Sequence, residues 1–76
     1  MSIQDEALAG KVRNALAQDK RLCGQAIAIR VAQGEVSLKG IVDAEDIRDL
    51  AALVVQGISG VRSVIVDELR VKEAPE

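Results

Sequence analysis

The chain has 76 residues, enough for one domain whose single core is only marginally stabilising. It is 49% apolar yet holds no Phe, Tyr, Trp or His and a single cysteine, Cys23, so Leu, Ile, Val and Ala must build the core, and an intrachain disulfide is excluded and a structural zinc site disfavoured. The formal net charge of -2 gives no long-range attraction for phosphate polymers, and no apolar run approaches the roughly 20 residues of a membrane-spanning helix.

Met1 to Gln4 read as a disordered start, and the polar, acidic opening Met1 to Glu6 lacks the basic and apolar regions of a signal peptide. The expected location is cytoplasmic for this chain taken as complete, and periplasmic for a piece of a longer secreted protein. From Asp5 to about Asp19, Leu8, Val12, Ala15 and Leu16 recur at the spacing of an amphipathic helix, with Asp5 and Glu6 complementing the dipole of its first turn. Gly10, inside this helix, is a candidate for close approach to another element. Asp19 to Gln25 form a connector in which Leu22 packs inward.

Ile27, Ile29 and Val31, then Val36 and Leu38, alternate with Ala28, Arg30, Glu35, Ser37 and Lys39, which is the period of half-buried strands. A two-residue turn at Gln33-Gly34 sets Val31 opposite Val36 and Ile29 opposite Leu38, keeping the apolar residues on one face, whereas a three-residue turn would set Ile29 against Ser37. Gly34 suits the positive φ of such a turn; Gln33 suits it less well than Asn or Asp. Gly40 marks a bulge or a place where a helix passes close to the backbone.

Asp43 is the expected cap of a second helix, with Glu45 and Asp46 in its first turn and Ile47, Leu50, Ala51 and Val54 as its apolar stripe, ending at Gly57 or Gly60. Val61 to Val71 read as a third strand. Val64 and Val66 share one phase and Leu69 and Val71 the other, so a bulge is expected near Asp67-Glu68. Lys72 to Glu76 form a frayed end. The order α-β-β-α-β predicts an α+β two-layer sandwich, a three-stranded mixed sheet with two helices on one face, spanning residues 5–72. The other sheet face, carrying Ala28, Arg30, Ser37 and Lys39, is left to solvent or a partner. Strand order stays open.

The run Asp5-x-Ala7-Leu8-x-x-Lys11-Val12-x-x-Ala15-Leu16, then Ile27-x-Ile29-x-Val31-x-x-Gly34-x-Val36-x-Leu38-x-Gly40-x-Val42, then Gly60-Val61-x-x-Val64 with Leu69-x-Val71, resembles the BON domain of bacterial OsmY-like and nodulation proteins. The resemblance implies a non-catalytic module of envelope and osmotic stress proteins that binds phospholipid or other surface components, and in one related type potassium. No cofactor is implied.

Gly40 and Gly60 match glycines of that pattern and, with Gly34, are read as structural. Gly57-Ile-Ser-Gly60 has the spelling of a nucleic-acid-clamping GxxG loop, but its middle residues are uncharged, Arg62 is the only nearby cation, and no aromatic residue is available to stack on bases. Asp43, Glu45, Asp46 and Asp49 are a candidate cation site, more simply read as a capped first helical turn. Lys20, Arg21, Arg30, Lys39 and Arg62 are the candidate contacts to lipid or a partner protein. Cys23 reads as a small semi-buried residue. With no His or Tyr, no nucleophile and base stand out, so an enzyme is the least supported class.

The leading expectation is docking to phospholipid headgroups or a partner protein through the second helix and the loops bordering the sheet. Its alternative is a small-ligand or potassium-type sensor centred on Asp43 to Asp49. Weak self-association through a sheet edge, with Val55 and Ile65 pointing outward, is a third expectation.

Overall fold

The computed structural model describes residues 3–72, which run α1 (Ile3–Gln18), β1 (Ala26–Ala32), β2 (Glu35–Val42), α2 (Glu45–Gln56) and β3 (Ser63–Val71). This is the expected α+β order, with two helices and one mixed sheet of three strands. Of the frayed end expected from Lys72 to Glu76, Lys72 is held, its N–H donating to the Val42 carbonyl at 2.7 Å, while residues 73–76, with Met1 and Ser2 of the expected disordered start, lie outside the described residues. Ile3 and Gln4 of that start belong to α1, which begins before Asp5.

The β1–β2 hairpin has the register that keeps apolar residues together: Val31 pairs with Val36 and Ile29 with Leu38. Both turn residues have positive φ, +53° at Gln33 and +83° at Gly34, the pattern of a type I′ turn whose twist matches that of the strands. Gln33 holds this left-handed conformation although it has a Cβ, and its N–H donates to Asp5 Oδ1 at 3.1 Å, so the first turn of α1 secures the hairpin tip.

The sheet order is β1-β2-β3, with β1 antiparallel and β3 parallel to the central β2. The parallel pair requires a crossover, and α2 supplies it. Ile65 pairs with Ser37 and Glu68 with Lys39, so Val66 and Asp67 stand against Leu38 alone. That bulge lets Val66 and Leu69 both turn toward the helices, which explains the change of phase along β3.

Leu8, Val12 and Leu16 of α1, Leu22 of the connector, Val31, Val36, Leu38, Val42 and Leu69 of the sheet, and Ala51 and Val55 of α2 are buried together. Each fully buried Leu or Val side chain contributes about 1.5–3 kcal/mol through the apolar surface it removes from water.

Four local expectations are corrected. Val55 is 0% exposed and belongs to the core, because the inward stripe of α2 is centred on Ala51 and so includes the residue one turn further on. Asp43 does not cap α2; Ala44 holds the N-cap position without a side-chain bond, and Asp43 instead exchanges two hydrogen bonds with Gln25 (Asp43 N–H to Oε1 at 3.0 Å, Gln25 Nε2 to Oδ2 at 3.1 Å). Gly40 is approached by a strand and not by a helix: its φ is +141°, and a Cβ there would run into the Ala26 carbonyl of β1. At Gly10 a Cβ would meet no atom within 4 Å, so this glycine serves no close approach.

Candidate functional site

At the hairpin end of the molecule the first two turns of α1, the turn Gln33-Gly34 and the Ser59–Arg62 segment before β3 enclose an open cleft of about 810 Å³. Gln4, Ala7, Leu8 and Lys11 line it from α1, at the i, i+3, i+4, i+7 spacing that brings residues onto one helical face, with Asp5 beside them. Gly34, Gly60 and Arg62 line it from the other side. Arg62 is anchored there, its N–H donating to the Gly34 carbonyl at 2.7 Å. Its aliphatic stem lies over Gly34, close enough that a Cβ on that glycine would come within 2.8 Å of Arg62 Cγ and Cδ. A Cβ on Gly60 would be 3.5 Å from Leu8 Cδ1, so the loop rests against α1.

Two cations, Lys11 and Arg62, line the cleft, and the Asp5 carboxylate in it accepts the Gln33 N–H. Two exposed aliphatic side chains lie at the same end of the fold. Ile3, in the first turn of α1, is 86% exposed, and Leu53, in the last turn of α2 and leading into the Gly57–Arg62 segment, is 67% exposed. Large aliphatics turned to water beside long cationic side chains can enter an interface with their apolar parts while the charges stay among polar groups.

The five cations read as candidate contacts to lipid or a partner fall into three places. Arg62 is at the cleft. Arg30 and Lys39 lie on the open sheet face, bordering a shallow hollow of about 400 Å³ with Ala28, Ser37, Ile65 and Glu68. Lys39 is paired there with Glu68 at 3.4 Å, both side chains mostly exposed, a bridge that water and salt weaken. Lys20 and Arg21 are exposed on the connector at the opposite end of α1, beside Cys23, which is exposed and not semi-buried as expected, its Sγ 3.6 Å from the Lys20 carbonyl. Lys11 was missed as a partner of Arg62, although its position one helical turn beyond Leu8 was the available signal.

The acidic group is dispersed by its bonds. Asp43 is tied to Gln25, and Glu45 pairs with Arg48 at 3.4 Å. Among the described residues no three His, Cys, Asp or Glu side chains converge as metal ligands. Gly57–Gly60 joins a helix to a strand and not two helices, unlike a nucleic-acid GxxG loop. Among the described residues no helix is long and apolar enough to cross a membrane.

A small α-β-β-α-β sandwich with an open cleft and solvent-facing cations defines a binding module. The family model of the BON domain matches residues 4–73, and the chain belongs to the BON domain family. BON domains are binding modules and not enzymes, and this chain shares that general role. No curated protein matches the chain.

Proposed function

We propose that this BON module docks at anionic phospholipid surfaces by its hairpin end, as a peripheral contact. The observation that carries the reading is that exposed Ile3, in the first turn of α1, and exposed Leu53, in the last turn of α2, lie at the same end of the fold as the open cleft lined by Lys11 and Arg62. Near an anionic membrane each Lys or Arg contributes about 1 kcal/mol, and the aliphatic side chains add burial among the acyl chains. Two cations and no aromatic residue give weak, reversible and salt-sensitive binding, suited to a domain that samples a surface. Envelope and osmotic stress settings, where phospholipid surfaces are the substrate of such contacts, fit this reading.

Cosedimentation of the full chain with vesicles of mixed anionic and zwitterionic phospholipid at low salt tests it. The chain is expected in the pellet, to leave it as salt rises, and to lose binding in Arg62→Glu and Lys11→Glu while Lys20→Glu retains it. Absence from the pellet at low salt removes the lipid reading. Equal losses in all three variants would remove the hairpin end as its site.

A further inference from the structure

The two edges of the sheet are built differently. β3 is protected by its bulge at Val66-Asp67 and by Asp67, Glu68 and Arg70 along its length. Such bulges and charges are how natural sheets discourage a further strand from pairing. β1, the opposite edge, is Ala-Ile-Ala-Ile-Arg-Val-Ala: seven residues paired with β2 without a bulge, free of proline and carrying one charge. The two-residue turn makes Ala32 and Glu35 the closing hydrogen-bonded pair, and the alternation that follows directs the N–H and C=O of Ile27, Ile29 and Val31 away from β2. The N–H of Ile27 turns back to the Gln25 carbonyl at 3.1 Å, and Ile29 and Val31 present both groups at the edge. The helices also leave this edge incompletely covered. Ile27 and Ile29 point to the helix side yet are only half-buried, while Val36, Leu38 and Val42 on the neighbouring strand are 0–1% exposed.

We infer that β1 pairs antiparallel with β1 of a second copy of this chain, joining two sheets into one of six strands about a two-fold axis at Ile29. This register is favoured by the strand itself. All seven residues overlap, Ile27 faces Val31 of the copy, Ile29 faces Ile29, and Arg30 faces Ala28, so aliphatics meet and no like charges stand opposite one another. The residues paired through hydrogen bonds are then 27, 29 and 31, of which Ile29 and Val31 present both backbone groups at the edge and Ile27, its N–H bonded to Gln25, only its carbonyl. A slip by two residues one way sets Arg30 against Arg30, the other way leaves strand ends unpaired, and a slip by one turns the aliphatics to the wrong face. A seam of two short strands is smaller than the about 1,200 Å² of a standard interface, so the dimer is weak and concentration-dependent. It uses neither Lys11 nor Arg62 and stands or falls independently of lipid docking.

Sedimentation velocity of the full chain from micromolar to millimolar concentration, under reducing conditions so that exposed Cys23 does not link copies, is expected to show the mass moving from one copy toward two. Amide hydrogen exchange over the same series is expected to slow at Ile29 and Val31. Ala28→Lys sets a lysine against Arg30 in both symmetric pairs and weakens association about tenfold. The double variant Ala28→Lys, Arg30→Glu turns both contacts attractive and restores it. Ala28 and Arg30 are exposed on the open face, but Ala28 stands opposite Lys39 in the hairpin, so urea unfolding of the Ala28→Lys monomer measures the like-charge cost within one copy, and recovery of association in the double variant separates it from the contact between copies. A chain that stays monomeric throughout, a dimer whose Ile29 and Val31 exchange does not slow, or an Ala28→Lys variant that associates as the parent does would each overturn the inference.

Discussion

The N–H of Arg62 donates to the carbonyl of Gly34 at 2.7 Å, and the stem of the same arginine lies across that glycine. One contact therefore ties the tip of the hairpin to the start of β3 and holds a cation at the cleft. Gly34→Ala places a Cβ in the left-handed region at φ +83° and pushes it into Arg62 Cγ and Cδ. We expect a loss of about 1–2 kcal/mol from the backbone conformation, with a further loss from displacing Arg62. Urea unfolding measures the sum. A loss confined to the about 1–2 kcal/mol of the backbone conformation would show that Arg62 does not pack on Gly34.

Gly40→Ala is expected to be the costlier glycine substitution. Its Cβ would strike the Ala26 carbonyl, a backbone atom held in the hairpin, and the strand cannot move away without breaking pairs in the sheet. We expect a loss of at least about 3 kcal/mol, a large part of the stability of so small a domain. Gly10→Ala, on an exposed helical position with open space around it, is expected to gain about 0.5–1 kcal/mol through lower entropy of the unfolded chain. Thermal melts of the two variants should move in opposite directions.

Gln33→Asn tests the turn. Gln33 has a φ of +53°, which Asn tolerates better because its short amide can bond locally, and the N–H to Asp5 bond is made by the backbone and survives the change. A gain of about 0.5 kcal/mol is expected by urea unfolding. A loss would mean that the Gln33 side chain contributes more at the cleft than its backbone conformation costs.

Register, layer assignment and the phase change in β3 were legible because burial imposes a period of two on strands, and one slip would have turned Ile29 and Val31 to water. The hairpin and the βαβ crossover follow from that pattern and from short connections. What was not legible depends on contacts between residues far apart in the chain. Asp43 has the spelling of a helix cap, but Gln25, 18 positions away, holds its carboxylate, and Ala44 takes the cap position. Gly40 signals a close approach without saying that Ala26 makes it. The cleft combines Lys11 with Arg62, which only the meeting of α1 with the loop before β3 brings together. Basic residues adjacent in the sequence, Lys20 and Arg21, lie away from it.

Leu53 and Val55 separate folding from docking within one turn of α2. Val55 is 0% exposed and Leu53 67%, although both are aliphatic and two residues apart, because 200° of helical rotation carries one inward and the other out. Val55→Ala removes two buried methyl groups and leaves a void beneath α2, so a loss of about 2 kcal/mol is expected by urea unfolding. At low salt its remaining folded fraction should bind vesicles as the parent does. Leu53→Ser changes a side chain already in water and is expected to alter stability by less than about 0.5 kcal/mol. Its cosedimentation with anionic vesicles should fall severalfold, since the membrane loses an aliphatic side chain to bury. If Leu53→Ser bound vesicles as tightly as the parent while Arg62→Glu did not, attraction to lipid would rest on charge alone, and the aliphatic part of the docking surface would have to be abandoned.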